Sequence, residues 1–210
     1  MSKYKSYPST PHLQTSNREE DDVVLDNNDQ FEGKGVVITE KMDGENATLY
    51  KDYYHARSID SKHHPSRDWV KNFHSQIKHK IPKGWRICGE NLYAEHSIRY
   101  ENLESYFYAF SIWNEENECL SWEHTKEWCN LLNIVHVPVL YRGKWSEEKV
   151  HSIIDDLDTE KSEGIVVRTE KSFHYNKFQN HIAKWVRHNH VQTDEHWMHQ
   201  EVVPNGLKDE

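Results

Sequence analysis

Few residues in this chain could build a covalent or metal scaffold. Among its 210 residues there are three cysteines, Cys88, Cys119 and Cys129, and no C-x-x-C pair. An odd number without that spacing argues against a disulfide framework or a zinc ribbon. It points instead to a reducing cytosol, so the expected location is cytoplasmic. The N-terminus lacks the apolar core of a signal peptide, and no apolar run approaches membrane-spanning length, so no membrane role is expected. A basic excess is missing too. Lys and Arg number 26 against 35 Asp and Glu, a net charge of -9. That excludes an indiscriminate polyanion binder, so any nucleic-acid contact must come from a local basic groove.

What remains suits one substantial domain. Hydrophobic residues make up only 35%, but 8 Trp and 11 Tyr supply large side chains to bury. Residues 1–30 form a polar lead-in that turns acidic, with Val23 to Leu25 as a short docking strand. Residues 31–190 carry the periodic patterns of a folded domain, and 191–210 form a tail. Strands are predicted over Val36 to Glu40, Ala47 to Lys51, Tyr53 to Ser58, Trp85 to Asn91, Tyr106 to Trp113, Ile134 to Tyr141, Ile165 to Arg168 and Ile182 to Arg187. Asp43-Gly44 between the first two is a tight-turn signal.

A helix starts near Ser66 behind Pro65, with Trp69, Val70, Phe73, Ile77 and Ile81 on one face. Lys71, His74 and Lys78 share another face, read as solvated or as a track for phosphates. Ser121 caps a second helix reaching Asn133, which buries Trp122, Trp128, Leu131 and Leu132. Ser146 caps a third, with Glu147 and Glu148 in its first turn. The interleaving gives an α+β domain of largely antiparallel sheets flanked by helices.

Lys41-Met42-Asp43-Gly44 is the first segment with chemical content. Such a pattern arises by chance in roughly one chain of this length in twenty. A free lysine, with a pKa near ~10.4, is a protonated non-nucleophile at neutral pH. Burial or neighbouring cations free the amine. Arg57, Lys184 and Arg187, with a divalent metal, would give such a cationic pocket and hold a triphosphate.

Further segments follow in order: Ala56-Arg57-Ser58, Gly89-Glu90-Asn91-Leu92-Tyr93, Tyr108 to Trp113, Glu163 to Arg168, and Ala183 to Arg187. This series resembles the covalent nucleotidyltransferase superfamily of DNA ligases, RNA ligases and capping enzymes, over about residues 36 to 187. It is most similar to RNA ligases of the phage and kinetoplastid kind. The resemblance implies a nucleotidyltransferase (ATP-grasp-like ligase) fold, with residues 31–190 as the adenylyltransferase domain.

It also implies an ATP-dependent ligase that uses Mg²⁺ or Mn²⁺ and joins RNA ends or nicks. Lys41 would become lysyl-AMP, with Asp43 and Gly44 shaping its loop and Glu40 beside it in the nucleotide site. Arg57 would bind phosphate, Glu90 the ribose, and Phe110 would stack on the purine. Glu163 would hold the metal, and Lys184 would contact the α-phosphate. The family's last motif carries two lysines one residue apart. Here Val186 takes the second place, so either Lys184 acts alone or Arg187 shares the work.

The chain runs only about twenty residues past that motif. Either the domain grips its substrate alone, or a protein partner helps. Other readings stay open: a DNA ligase, a capping guanylyltransferase, or a nucleotide- or RNA-binding module without catalysis. Phe110 and Glu90 also have plain readings, as core aromatic and surface carboxylate. His188, His190, His196 and His199 crowd the tail. They are read as solvated or base-facing, with a zinc site as the alternative.

Overall fold

The computed structural model describes residues 3–16, 22–187 and 201–208. Eleven strands are described: β1 (Gly35–Lys41), β2 (Glu45–Tyr50), β3 (Tyr54–His55), β4 (Arg86–Asn91), β5 (Phe107–Trp113), β6 (Glu118–Cys119), β7 (Val135–His136), β8 (Val139–Lys144), β9 (Gly164–Thr169), β10 (Phe173–His174) and β11 (Ile182–Val186). Three α-helices join them: α1 (Asp68–Ile77), α2 (Trp122–Leu132) and α3 (Glu147–Asp155). The first sheet has the order β11-β9-β1-β8, and the second β10-β6-β5-β4-β2-β3 with β7 beside β5. Every pairing is antiparallel except β5–β7. The fold is α+β, as the strand and helix pattern predicts.

The Asp-Gly turn is not a hairpin. β1 pairs with β8 and β9, and β2 pairs with β3 and β4, so the two strands lie in different sheets. Met42, Asp43 and Gly44 carry the chain across. The predicted strand Ile134 to Tyr141 also divides between the sheets. Pro138 lies at the break, has no N–H to donate, and offers its carbonyl to the Glu40 N–H at 2.9 Å. The predicted strand Tyr53 to Ser58 shrinks to two residues, because the Ala56 N–H turns to the Ser61 hydroxyl at 2.8 Å. β6 and β10 are each two residues long, too short to show a period.

Alternation on β1 and β9 sorts their faces. Val36 and Ile38, with Ile165 and Val167, pack with Trp145 and Val150 of the α3 side. Val37 packs the other way, with Met42, Leu92, Tyr108 and Trp122. α1 and α2 cover the second sheet through Val70, Ile77, Cys129 and Leu132. Ser121 and Ser146 cap as expected, accepting from the N–H of His124 and Lys149. Asn133 ends α2 in the left-handed conformation with φ 55°.

Two helical assignments need correcting. Leu131 is 70% exposed, because the buried stripe of α2 runs through Trp122, Thr125, Cys129 and Leu132. His74 does not join a basic face: it is buried, its Nε2 lies 2.6 Å from the Tyr50 carbonyl, and burial lowers its pKa.

Both flanking segments pack onto the domain. Leu13 N–H donates to the Lys184 carbonyl at 2.8 Å, and Lys184 N–H donates to Pro11 at 2.9 Å. His12 bridges Val24 in turn, so the N-terminal segment covers the open edge of β11. At the other end Asn205 is buried, with its amide donating to the Leu92 and Ala94 carbonyls and its oxygen accepting from Tyr100 N–H. The histidine-rich run from His188 to His199 lies outside the described residues.

Asn205→Ala should leave those buried backbone groups without partners. A loss of about 2–4 kcal/mol in urea denaturation is expected; an unchanged midpoint would show that 201–208 contributes nothing to the fold.

Candidate active site

Where β1 leaves the first sheet, the two sheets enclose a cavity of about 1040 Å³. That is ample for a nucleotide. Lys41 is the last residue of β1 and stands opposite Gly164 in the β1–β9 pairing. Its Nζ donates to Glu163 Oε2 at 2.6 Å, with Glu163 almost wholly buried. A Cβ at Gly164 would lie 2.0 Å from the Trp185 carbonyl oxygen, so only glycine lets β9 and β11 close beside this pair.

The loop after Lys41 is pinned from within. The buried Asp43 carboxylate accepts from Ser97 N–H, Ser97 hydroxyl and Ile98 N–H, each at 2.8 Å, and its own N–H donates to Tyr100 at 2.9 Å. At Gly44 a Cβ would sit 2.5 Å from the Asn91 carbonyl oxygen. Asp43 therefore shapes the turn. It does so by three hydrogen bonds to the segment at 97–98, a partner with no local sequence signal.

Glu40, Lys41, Asp43, Arg57, Glu90, Phe110, Glu163 and Lys184 all line this one cavity; Arg187 does not. Its guanidinium is held by the Thr159 carbonyl at 2.8 Å and the Ser97 hydroxyl at 3.3 Å. Arg57 is exposed at the mouth and touches Ser9. Phe110 is half-buried and met edge-on by Tyr7, with ring centres 4.9 Å apart.

Tyr7 and the Arg67–Glu45 pair of the wall have no motif to announce them. Tyr7 comes from the polar lead-in. The Arg67–Glu45 pair, both partners buried, closes another wall with a bidentate contact. Arg168 is buried against Trp122 and Phe173, donates to the Leu120 carbonyl at 2.8 Å, and keeps Nη1 without a hydrogen-bond partner among the described residues.

The electrostatics run against a purely cationic pocket. Burial disfavours the Lys41 ammonium, but Glu163, Glu90 and Asp43 outweigh it and raise the Lys41 pKa overall. Lys184 shifts the opposite way, lowered by burial and then by repulsion from Lys41, with Arg57 adding to it. Glu90 is pushed up to about 8 by burial, with Glu163 and Asp43 adding to the rise and Lys41 opposing it. Glu40 is raised by burial, against a hydrogen bond from Ser162. Carboxylates thus outweigh cations around the amine.

Glu90 supplies a pH test. A native pKa above the unfolded one means the folded state holds the proton more tightly, so its contribution is whole at low pH and fades as pH rises toward about 8. Glu90→Gln removes that titration. The variant's unfolding temperature, measured against wild type from acid to pH 9, should gain steadily and level off above about 8. A constant difference would show that Glu90 titrates normally.

Comparison with known proteins agrees with this arrangement. No curated sequence matches the chain. Among solved structures, an archaeal ATP-dependent RNA ligase superposes with TM-score 0.63 at 15% identity, covering 87% of this chain and 48% of its own. A Naegleria gruberi RNA ligase variant with AMP and Mn gives 0.61 at 16%, covering 89% and 56%. A putative ATP-dependent DNA ligase from Aquifex aeolicus gives 0.50 at 23%, covering 76% and 45%. The chain thus spans about half the length of these relatives. The RNA ligase family model matches residues 34–186, from the start of β1 to the end of β11. With Lys41, Glu90, Phe110, Glu163 and Lys184 around one cavity, the chain belongs to the RNA ligase family.

Proposed function

We propose that this protein is an ATP-dependent RNA ligase in which Lys41 carries AMP from ATP to a 5′-phosphate end. The contact between Lys41 and the buried Glu163, inside a cavity shared with Lys184, Glu90 and Phe110, is the observation that supports it. In the first step the Lys41 amine, having lost its proton, bonds the α-phosphorus of ATP. The bond to the β-phosphate breaks and pyrophosphate leaves. An oxygen of the RNA 5′-phosphate then takes the adenylyl group and frees the amine. Finally a 3′-hydroxyl attacks that phosphate, AMP departs and a phosphodiester remains.

Phosphoryl transfer of this kind depends on positioning and on offsetting charge. Lys184 on β11 and Arg57 line the same cavity, so two cations are at hand for a phosphate chain. Lys184 does the α-phosphate work alone: Val186 is buried and Arg187 braces the loops at Thr159 and Ser97. Phe110 stacks on the purine, Glu90 takes the ribose hydroxyls, and Glu40 borders the base.

Mg²⁺ or Mn²⁺ suits the donor set. Glu163 offers hard oxygens. Among the described residues no three His, Cys, Asp or Glu side chains form a closed cage. That favours an ion completed by phosphate oxygens and water. When bound, it offsets phosphate charge and competes with Lys41 for Glu163. The AMP and Mn of the Naegleria gruberi relative support these ligands.

Among the described residues no helix is long and apolar enough to cross a membrane. Three buried free thiols fit a reducing cytosol. Extra grip on the nucleic acid could come from a protein partner.

Radiolabelled ATP with Mg²⁺ or Mn²⁺ should leave covalent label on the wild type. Lys41→Ala should abolish it, and Lys184→Ala or Glu163→Ala should slow it by about 100-fold or more. An unlabelled wild type would refute the proposal.

A further inference from the structure

We infer that the basic segment from Arg57 at the cavity mouth, along α1, to Lys83 past its end is the track that holds the phosphate backbone of the nucleic-acid substrate. The inference rests on the ligase reading for the identity of that substrate, and on charge for its place. Residues 57–83 contain seven Lys and Arg against two Asp and Glu, a net of +5, or +4 once Arg67 is set aside as buried and paired with Glu45, inside a chain of -9. The remainder of the molecule is therefore more acidic than its total suggests. One continuous segment holds the basic excess that a polyanion needs.

The segment is also placed to deliver a strand. Its first part, Arg57, Lys62, His63 and His64, lines the cavity mouth. The chain then enters α1, and Lys78, Lys80 and Lys83 follow beyond its end, outside the cavity lining. Val70, Ile77 and Ile81 take the buried side, while Lys62, Lys78, Lys80 and Lys83 are exposed. At about 1.5 Å per residue, the ten residues of α1 extend roughly 15 Å. That spans roughly four phosphates of one strand at about 3.4 Å each.

Exposure and close spacing set these cations apart: Lys78, Lys80 and Lys83 fall within six residues. Elsewhere Lys41, Lys126 and Lys161 are matched with the carboxylates of Glu163, Glu123 and Asp158. Among the described residues Lys62, Lys78, Lys80 and Lys83 make no salt bridge. Of the two acids in the segment, Asp68 lies 3.5 Å from His63 and is partly answered there. An exposed run of unmatched lysines in an acidic protein, continuous with a cavity built for phosphates, fits a nucleic acid.

The test is a triple charge reversal, Lys78→Glu with Lys80→Glu and Lys83→Glu, far from the cavity residues. The probe is a fluorescein-labelled RNA duplex with a 5′-phosphorylated nick, followed by anisotropy through a KCl series. Each lost phosphate contact removes about 0.9 from the slope of log K against log salt, so the slope should flatten by roughly 2 to 3. Affinity at low salt should fall by at least about tenfold. Label transfer from ATP to Lys41 should stay at the wild-type level, which also shows that the variant is folded. Replacing the same three residues by arginine should retain binding.

Wild-type affinity and slope in the reversed variant would overturn the inference while leaving the ligase reading intact. So would binding of a polyglutamate probe, and not RNA, at this face. RNA binding lost in the variant, with no lysyl-AMP in the wild type, would sustain the track and sink the ligase reading.

Discussion

The register between β1 and β9 governs everything built around Lys41. Opposite Lys41 stands Gly164, and the residue before it, Glu163, reaches the amine at 2.6 Å. A slip of one residue would turn Lys41 toward the α3 side and put Glu40 in its place. The register is secured on both flanks. Val36, Ile38, Ile165 and Val167 fill one core, and β8 and β11 hold the outer edges. Asp43 and Gly44 then fix where the chain lands in the second sheet. The Lys41 amine is aimed by backbone pairing first and by its own side chain second.

That arrangement leaves the amine in a hard electrostatic position. Three carboxylates surround it, and they hold its proton on despite burial. The same surroundings favour the arrival of cations and of anything that brings them. Lys184, by contrast, is loosened from its proton by burial first and then by Lys41 and Arg57. The cavity therefore crowds like charges of both signs. Negative phosphates would relieve the crowding of Lys184 and Arg57. Positive charge near Glu163 would relieve the crowding of the acids. The pocket is tuned to a ligand that carries both signs.

Much of this was readable along the chain, and the limits are physical. Ser121 and Ser146 announce their helices because capping is a local event, decided within three residues. Strand positions follow from alternation, which is local too. The Lys41, Glu90, Phe110, Glu163 and Lys184 set could be named because each sits in a short motif, and the structure brings them to one cavity. Arg187 was grouped with them as the next cation after Val186, which stands where the family has its second lysine. But it lies just past the end of β11, and its guanidinium turns to Thr159 and Ser97. The Asp-Gly turn does not say which strands it joins, because a crossing between sheets and a hairpin use the same residues. Tyr7 and the Arg67–Glu45 pair depend on contacts distant in sequence, so no local pattern marks them. His74 and Leu131 shared a helical period with residues of the opposite burial, since period alone does not say which side meets the core.

One wall of the cavity joins segments far apart in sequence. Tyr7 lies against Phe110, and residues 11–13 bind along β11, which ends at Val186. During synthesis residues 7–13 emerge more than 160 residues before the edge of β11 that receives them. The ribosome must therefore release the chain through β11 before this wall of the cavity can be sealed. A truncated product lacking β11 would expose an unpaired edge of β9 and leave the leading segment without a seat.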